Sequence, residues 1–256
     1  GLDLPFDVAA AVRFTGQANF HILKYLHALA KLIDGGGSFV FENSNATGIR
    51  GGRGGQPGRV KTAHGSVMAR SVVVATKVPA APLAARFTYG SAEYPTTSYL
   101  VAGKYTGRLK GMYISPDPGQ YSLLPIGSGR ERLLLIGGEN HIPGLGRPLR
   151  RHRKLAAYGQ ERFGIDRFEY RWKAMDYLAY DGLPLAGRLY PHSRNTYAIS
   201  GLKKWGLNLS MVAAIVIRDL ITGQPQPAAD LFDPHRGSAP RAIPKAIAGY
   251  LADRLG

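Results

Sequence analysis

The sequence contains no cysteine, which excludes disulfides, thiolate nucleophiles and zinc or iron–sulfur ligation through sulfur. It has no apolar run of about 18 residues, so no membrane-spanning helix is expected. The longest apolar block, Leu209 to Ile217, is followed by Arg218 and Asp219 and reads as a buried helix. The first residues lack the basic stretch and apolar block of a secretory leader, and a cytoplasmic location is expected. Several chemistry-bearing patterns are missing as well. There is no HExxH or HxxxH pair among the seven histidines, no GxSxG elbow, and no glycine-rich turn ending in Gly-Lys-Ser/Thr. A metal site is therefore not expected. Carboxylates are scarce, 17 Asp and Glu against 33 Lys and Arg, for a net charge of +16.

What is present is enough chain for one large domain or two small ones, 256 residues of which 45% are hydrophobic. The positive charge raises the question of an anionic partner. Most of it is dispersed; the one dense cluster, Arg147, Arg150, Arg151, Arg153 and Lys154, has no aromatic interleaving. It reads as a solvated face, and nucleic acid is not an expected partner.

Hydrophobic periodicity organises the chain into two kinds of segment. Gly16 to Asp34 reads as an amphipathic helix stopped by Gly35-Gly36-Gly37. Ser38 to Asn43 reads as a strand, and "GGRGGQPG" (Gly51 to Gly58) as a hairpin turn. Ser71 to Thr76, with its unbroken Val72-Val73-Val74-Ala75, predicts a strand covered on both faces, as in a parallel sheet. From Thr97 to Gly138 the pattern changes to short alternating runs, the mark of an antiparallel sheet. A helix over 150–163, a strand pair within 168–189, a strand through "TYAIS", a long helix and a closing amphipathic helix after Ala242 complete the order.

Several strings in that order carry a resemblance. They are "QANFHILKYLHALAK" (Gln17 to Lys31), "VVVAT" (Val72 to Thr76), "GMYIS" (Gly111 to Ser115) and "LLLIGGENH" (Leu133 to His141). "RWKAMDYLAYDGLPLAGR" (Arg171 to Arg188), "GLKKWGLNLSMVAAIVIRDLI" (Gly201 to Ile221) and "LFDPHR" (Leu231 to Arg236) follow. Together they resemble FAD-dependent oxidoreductases of the D-amino-acid-oxidase-like superfamily, in the branch often fused to a Rieske domain. The resemblance implies an α/β (α+β) architecture: a truncated Rossmann-like FAD-oxidoreductase fold, residues 1–84 and 181–256, with an inserted antiparallel substrate sheet, residues 85–180. Such flavoproteins open with a strand, a GxGxxG turn and a helix that holds the pyrophosphate. No such pattern occurs in this sequence; the glycine-rich Gly51 to Gly58 contains Pro57 and leads into a strand. The turn that the resemblance places against the flavin is altered too, reading Leu207, Asn208, Leu209, Ser210. If flavin is held, the resemblance points to Ala75, Thr76, Gly201, Trp205, Gly206 and Asn208.

Without a phosphate cradle, no cofactor is expected unless the head is supplied from elsewhere, in which case it is FAD. Elimination then leads to a flavin-independent hydrolase on a truncated scaffold. Glycoside hydrolysis of the galactosidase or glucosidase type is its best-motivated form, since two carboxylates suffice for it. Glu139, Asp176 and Asp181 are the candidate carboxylates, and Tyr113, Trp172, Tyr177, Tyr180 and Trp205 the flat surfaces on which a sugar stacks. Each also has a plain reading, Asp176 and Asp181 as partners of Arg171 or Arg188 and the aromatics as core. His21 and Tyr25, one turn apart, read as interior packing. Two alternatives stand beside hydrolysis: the substrate-binding portion of an FAD-dependent amine- or amino-acid-type oxidoreductase, and a basic binding module without catalysis. The expected partners are a small-molecule substrate, such as a sugar, and a second copy covering an exposed sheet edge.

Overall fold

The computed structural model describes residues 3–52, 56–77, 89–143 and 148–244. Its largest unit is a five-stranded antiparallel sheet built on β5 (Glu93–Lys104), with β6 (Tyr113–Ile114), β7 (Ser122–Ile126), β8 (Leu133–His141) and β9 (Phe168–Ala179) in the order β6-β7-β8-β5-β9. β5 and β9 pair along nearly their whole length, from Glu93 opposite Ala179 to Gly103 opposite Phe168. Pro95 is tolerated in this central strand because pairing with β8 begins only at Thr97, so its missing N–H costs no bond on that side.

One face of this sheet is covered by α2, Pro148–Phe163 (α1 being Ile22–Ile33). Tyr99, Val101, Leu123, Leu134, Ile136, Leu155 and Ile165 close a dry core between them. Gly159 makes the contact possible: a Cβ there would sit 2.5 Å from the Phe168 ring and 2.8 Å from Ile136 Cδ1.

The second unit is smaller. β4 (Val72–Val74) runs parallel to β11 (Thr196–Ser200), which pairs antiparallel with β10 (Leu185–Arg188). α3 (Gly206–Thr222) packs on it through Ala213, Val216 and Ile217 and ends at Gly223, whose φ of 70° is the left-handed cap that glycine favours. β1 (Ala46–Arg50), β2 (Gly58–Thr62) and β3 (Ser66–Ala69) form a separate antiparallel meander whose first turn holds the glycine-rich segment.

Several expectations need correction. Residues 39–43 form no strand; Gly35 and Ser38 make an isolated bridge instead. α1 covers only Ile22–Ile33, and none of its residues is buried. His21 and Tyr25 are accordingly exposed, with His21 Nδ1 accepting the Lys24 N–H as the helix cap. Val72 and Val74 are buried but Val73 is 41% exposed, so β4 is covered on one face only. α3 likewise exposes Leu207, Met211, Val212 and Ile215 along its other side. β9 and β10 do not pair with each other; the chain crosses between sheets at Asp181–Pro184 because Leu185 enters register with Ser200. The closing helix expected after Ala242 falls largely outside the described residues, as do Gly146 and Arg147 of the basic cluster.

Candidate functional site

In open α/β sheets, ligands sit beyond the carboxyl ends of parallel strands, where two connections diverge. Here that place is formed by β4, which runs out into Ala75-Thr76-Lys77, and β11, which runs out into the turn Gly201–Trp205. Three lysines in these turns have positive φ, Lys77 at 64°, Lys203 at 46° and Lys204 at 64°. Side chains in this region cost energy, and their persistence marks a backbone fixed by its surroundings. The second turn is anchored to β9 by a Leu178–Leu202 bridge and by the Lys203 N–H donating to the Tyr177 carbonyl at 3.2 Å. It opens into α3, whose N-cap residue Trp205 makes no side-chain capping bond and whose first turn carries no acidic residue.

Beside that turn lies the face of the five-stranded sheet opposite α2. Directly paired residues of an antiparallel ladder share a face. Thr96 with Asp176, Ser98 with Ala174 and Leu100 with Trp172 therefore lie on this open side. Lys204 reaches across to it. Its Nζ donates to Ser98 Oγ and to Asn140 Oδ1 at 2.7 Å, and Asn140 Nδ2 donates to Gln120 Oε1 at 2.7 Å. Desolvation of the ammonium pulls Lys204 below the usual lysine value, opposed by the negative charge of Asp176. Lys204 as a whole residue is exposed, so we read this as its head group being set against the sheet while its stem meets solvent. Among the described residues Lys204 and Asp176 make no ion pair within 4 Å.

At the inner end of the site is a carboxyl that sequence reasoning passed over. Glu93, 3% exposed, begins β5, and burial raises it to about 7 against the hydrogen bonds from Ser200 and the Gly201 N–H. Ser200 Oγ lies 2.8 and 2.7 Å from its two oxygens and 3.0 Å from the Lys77 carbonyl.

The singled-out residues scatter around this geometry. Glu139 is 6% exposed on the α2 side, ion-paired with both Arg151 and Lys154 at 3.4 Å. Asp181 is bound by Arg236 at 2.7 Å, by Ser238 Oγ at 2.7 Å and by the Leu183 N–H. Burial alone would raise its carboxyl, but these bonds win and hold it down at about 2. Asp176 alone of the three lies on the open face. Of the aromatics, Trp172 shares that face, and Trp205 stands in the turn, 59% exposed. Tyr113 pairs with Leu123 and packs into the α2 core; Tyr177 alternates onto that same side. Tyr180 packs on Tyr94 with ring centroids 5.1 Å apart. Lys204, Ser98, Asn140, Glu93 and Ser200 went unsingled; only the paired lysines inside the "SGLKKWG" turn offered a signal for any of them.

The model of one family, DAO: FAD dependent oxidoreductase, matches residues 2–220. The chain belongs to the FAD-dependent oxidoreductase family. As a member of that family it is 28% identical, over 98% of its own length, to the Rieske 2Fe-2S iron-sulfur protein YhfW of Bacillus subtilis, covering 49% of that protein. Its fold is shared with glycine oxidase from Geobacillus kaustophilus (TM-score 0.58, 22% identity, 73% of this chain and 50% of that one). L-proline dehydrogenase from P. horikoshii is similar too (TM-score 0.62, 18% identity, 79% and 56%). The chain thus spans about half the length of these relatives.

Membership overturns the expected glycoside hydrolase: the family is one of flavin-dependent oxidoreductases, not of hydrolases. Roles given to Glu139, Asp176 and Asp181 as paired hydrolytic carboxylates, and to the aromatics as sugar platforms, fall with it. Of the cofactor expectation, the family supports its conditional form, FAD. The α/β fold with its inserted antiparallel sheet stands. No helix among the described residues is long and apolar enough to cross a membrane.

The residues present fit one end of FAD. The uncapped start of α3, beside Gly201 and Gly206, offers backbone N–H groups and a positive helix end to an electron-rich ring edge. A Cβ at Gly206 would meet nothing within 4 Å, leaving room for close approach. The pyrophosphate end finds no strand–GxGxxG–helix unit in this sequence.

Proposed function

We infer that this chain provides the substrate face and the ring end of the flavin site in an FAD-dependent oxidoreductase acting on amino or imino acids. Its pyrophosphate end is supplied by another segment. Ala75, Thr76, Gly201, Trp205, Gly206 and Asn208 hold the ring end. FAD, when bound, takes up the electron pair and hydrogen released as a C–N bond becomes C=N.

The observation that carries this reading is the placement of Lys204 and Asp176. A cation held, among the described residues, by the neutral oxygens of Ser98 and Asn140, and sensing a carboxylate beyond ion-pair range, leaves opposite charges facing one open surface. That arrangement complements a zwitterion: Lys204 takes the substrate carboxylate and Asp176 its ammonium or iminium. Leu100 and Trp172, opposite each other in the ladder, provide the apolar floor. Because Lys204 stands in the turn that leads to α3, the carboxylate is positioned relative to the same backbone that faces the cofactor.

The test is a full-length preparation examined for flavin absorption and assayed against amino acids, imino acids and the matching amines without a carboxylate. Lys204→Met is expected to raise KM for carboxylated substrates by about tenfold or more, with little change for the amines. A colourless protein, or equal effects on both substrate classes, rejects the reading.

A further inference from the structure

The buried Glu93 has no part in the substrate chemistry just described, yet it meets one turn of the site directly and the other through Ser200. Ser200 Oγ stands between its carboxyl and the Lys77 carbonyl, and the Gly201 N–H also reaches Glu93. A hydroxyl carries one proton, and a carbonyl only accepts. If Ser200 donates to Lys77, then Glu93 must bring its own proton to bond Ser200 Oγ. If Glu93 is ionised, the Ser200 proton turns to it and the Lys77 carbonyl loses its partner. No lysine, arginine or histidine lies within ion-pair distance of Glu93 among the described residues. The titratable groups facing it are Tyr89, from the turn before β5, and Tyr177 of β9, both raised by burial and then by the Glu93 charge. Asp233 adds its charge at Tyr89. The Tyr89 hydroxyl is buried without a hydrogen-bond partner among the described residues. Gly201 leaves no slack: a Cβ there would lie 3.3 Å from Glu93 Oε2, on a backbone with φ of 67°.

We propose that Glu93 is a positioning residue whose protonated carboxyl, acting through Ser200, ties the Ala75–Lys77 turn to the Gly201–Trp205 turn. The chain of bonds runs Glu93 O–H to Ser200 Oγ, and Ser200 O–H to Lys77 O. Ionising Glu93 withdraws the second bond and so removes this tie between the turns. The flavin reading enters only in saying what the turns hold; the tie itself is a property of this chain.

Amide hydrogen exchange on the full-length protein, followed at residues 75–77 and 201–205 against pH and corrected for intrinsic rates, tests this. Wild type is expected to lose protection at residues 75–77, by about tenfold or more, as pH rises through about 7, while residues 201–205 keep theirs because the Gly201 N–H then donates to a carboxylate. Glu93→Gln still donates to Ser200 and cannot ionise, so both turns should stay protected across that range. Ser200→Ala should leave residues 75–77 unprotected at every pH with residues 201–205 protected throughout, which carries the test if Glu93→Gln does not fold. Protection at residues 75–77 that is flat through pH 7 in wild type, or an unchanged step in Glu93→Gln, overturns the proposal. Flavin absorption on the same samples separates the two readings: a colourless protein with the exchange pattern intact counts against the flavin site alone.

Discussion

The two sheets of this molecule are finished to different degrees. The five-stranded sheet is closed on one side by α2, with Leu134, Ile136 and Leu155 fully buried between them, and keeps one open face that carries the polar site. The sheet of β4, β10 and β11 has α3 over Ala186 and Ile199, but Val73, which the register places on that same face, is 41% exposed, and β4 is an edge strand with one parallel neighbour among the described residues. α1 has no buried residue and exposes apolar side chains, with Leu32 at 82% and Ile33 at 56% exposure. Parallel strands normally have both faces covered, and patches of this kind mark surfaces that another segment packs against. The lesson is that one unit carries its own stability while the other presents surface made to be covered.

The sharpest way to break this comparison is to truncate one leucine in each unit. Leu134→Ala should cost about 3 kcal/mol in denaturant unfolding, whereas Leu32→Ala in this chain alone should fall within about 0.5 kcal/mol of wild type. Equal costs would mean that α1 is packed after all. Arg236→Ala is of similar size, about 3 kcal/mol, because it strips Asp181 of its buried partner.

Two carboxyls make opposite demands on pH. Asp181, held at about 2 against a reference of 3.8, gives stability that is present above pH 3.8 and lost as pH falls through about 2. Glu93, raised to about 7 against 4.5, gives stability that is full below pH 4.5 and lost as pH rises through about 7. The first is worth about 2 kcal/mol and the second about 3 kcal/mol. Urea unfolding against pH should therefore show a decline between about 4.5 and 7 that Glu93→Gln removes and Asp181→Asn leaves in place. The smallest effect concerns the strained turn: Lys203→Gly relieves a φ of 46° and should stabilise by about 0.5–1 kcal/mol in thermal unfolding, if the turn is as fixed as its anchors imply.

Much of the fold was legible in the sequence because period and punctuation agree with it. The alternation after Thr97, the helix expected over 150–163 and the long helix after "TYAIS" mark real elements. The errors share one physical cause. The apolar runs holding Val73 and Ile215 predict interior positions, but an apolar run reports a surface that seeks cover, not one that has it. The site was far less legible. Asp181 stood out as one of few carboxylates, yet what decides its state is Arg236, 55 positions away. Lys204, Ser98 and Asn140 belong to three separate elements, and only the register of β5 and the path of the turn bring them together. Family resemblance pointed to the right family, and elimination, reasoning from a missing phosphate cradle, led away from it.

The pairing of Glu93 with Ala179 at the root of the inserted sheet bears on how the chain assembles. For β4 to meet β11, an unfolded chain must close a loop of about 120 residues. Once β5 and β9 have zipped, the loop is short-circuited to the connectors on either side of their joined ends, saving about 1 kcal/mol of closure entropy. The five-stranded sheet thus acts as a clasp: with β5 and β9 paired, the two turns of the site are brought near each other at a lower entropic cost than in the open chain.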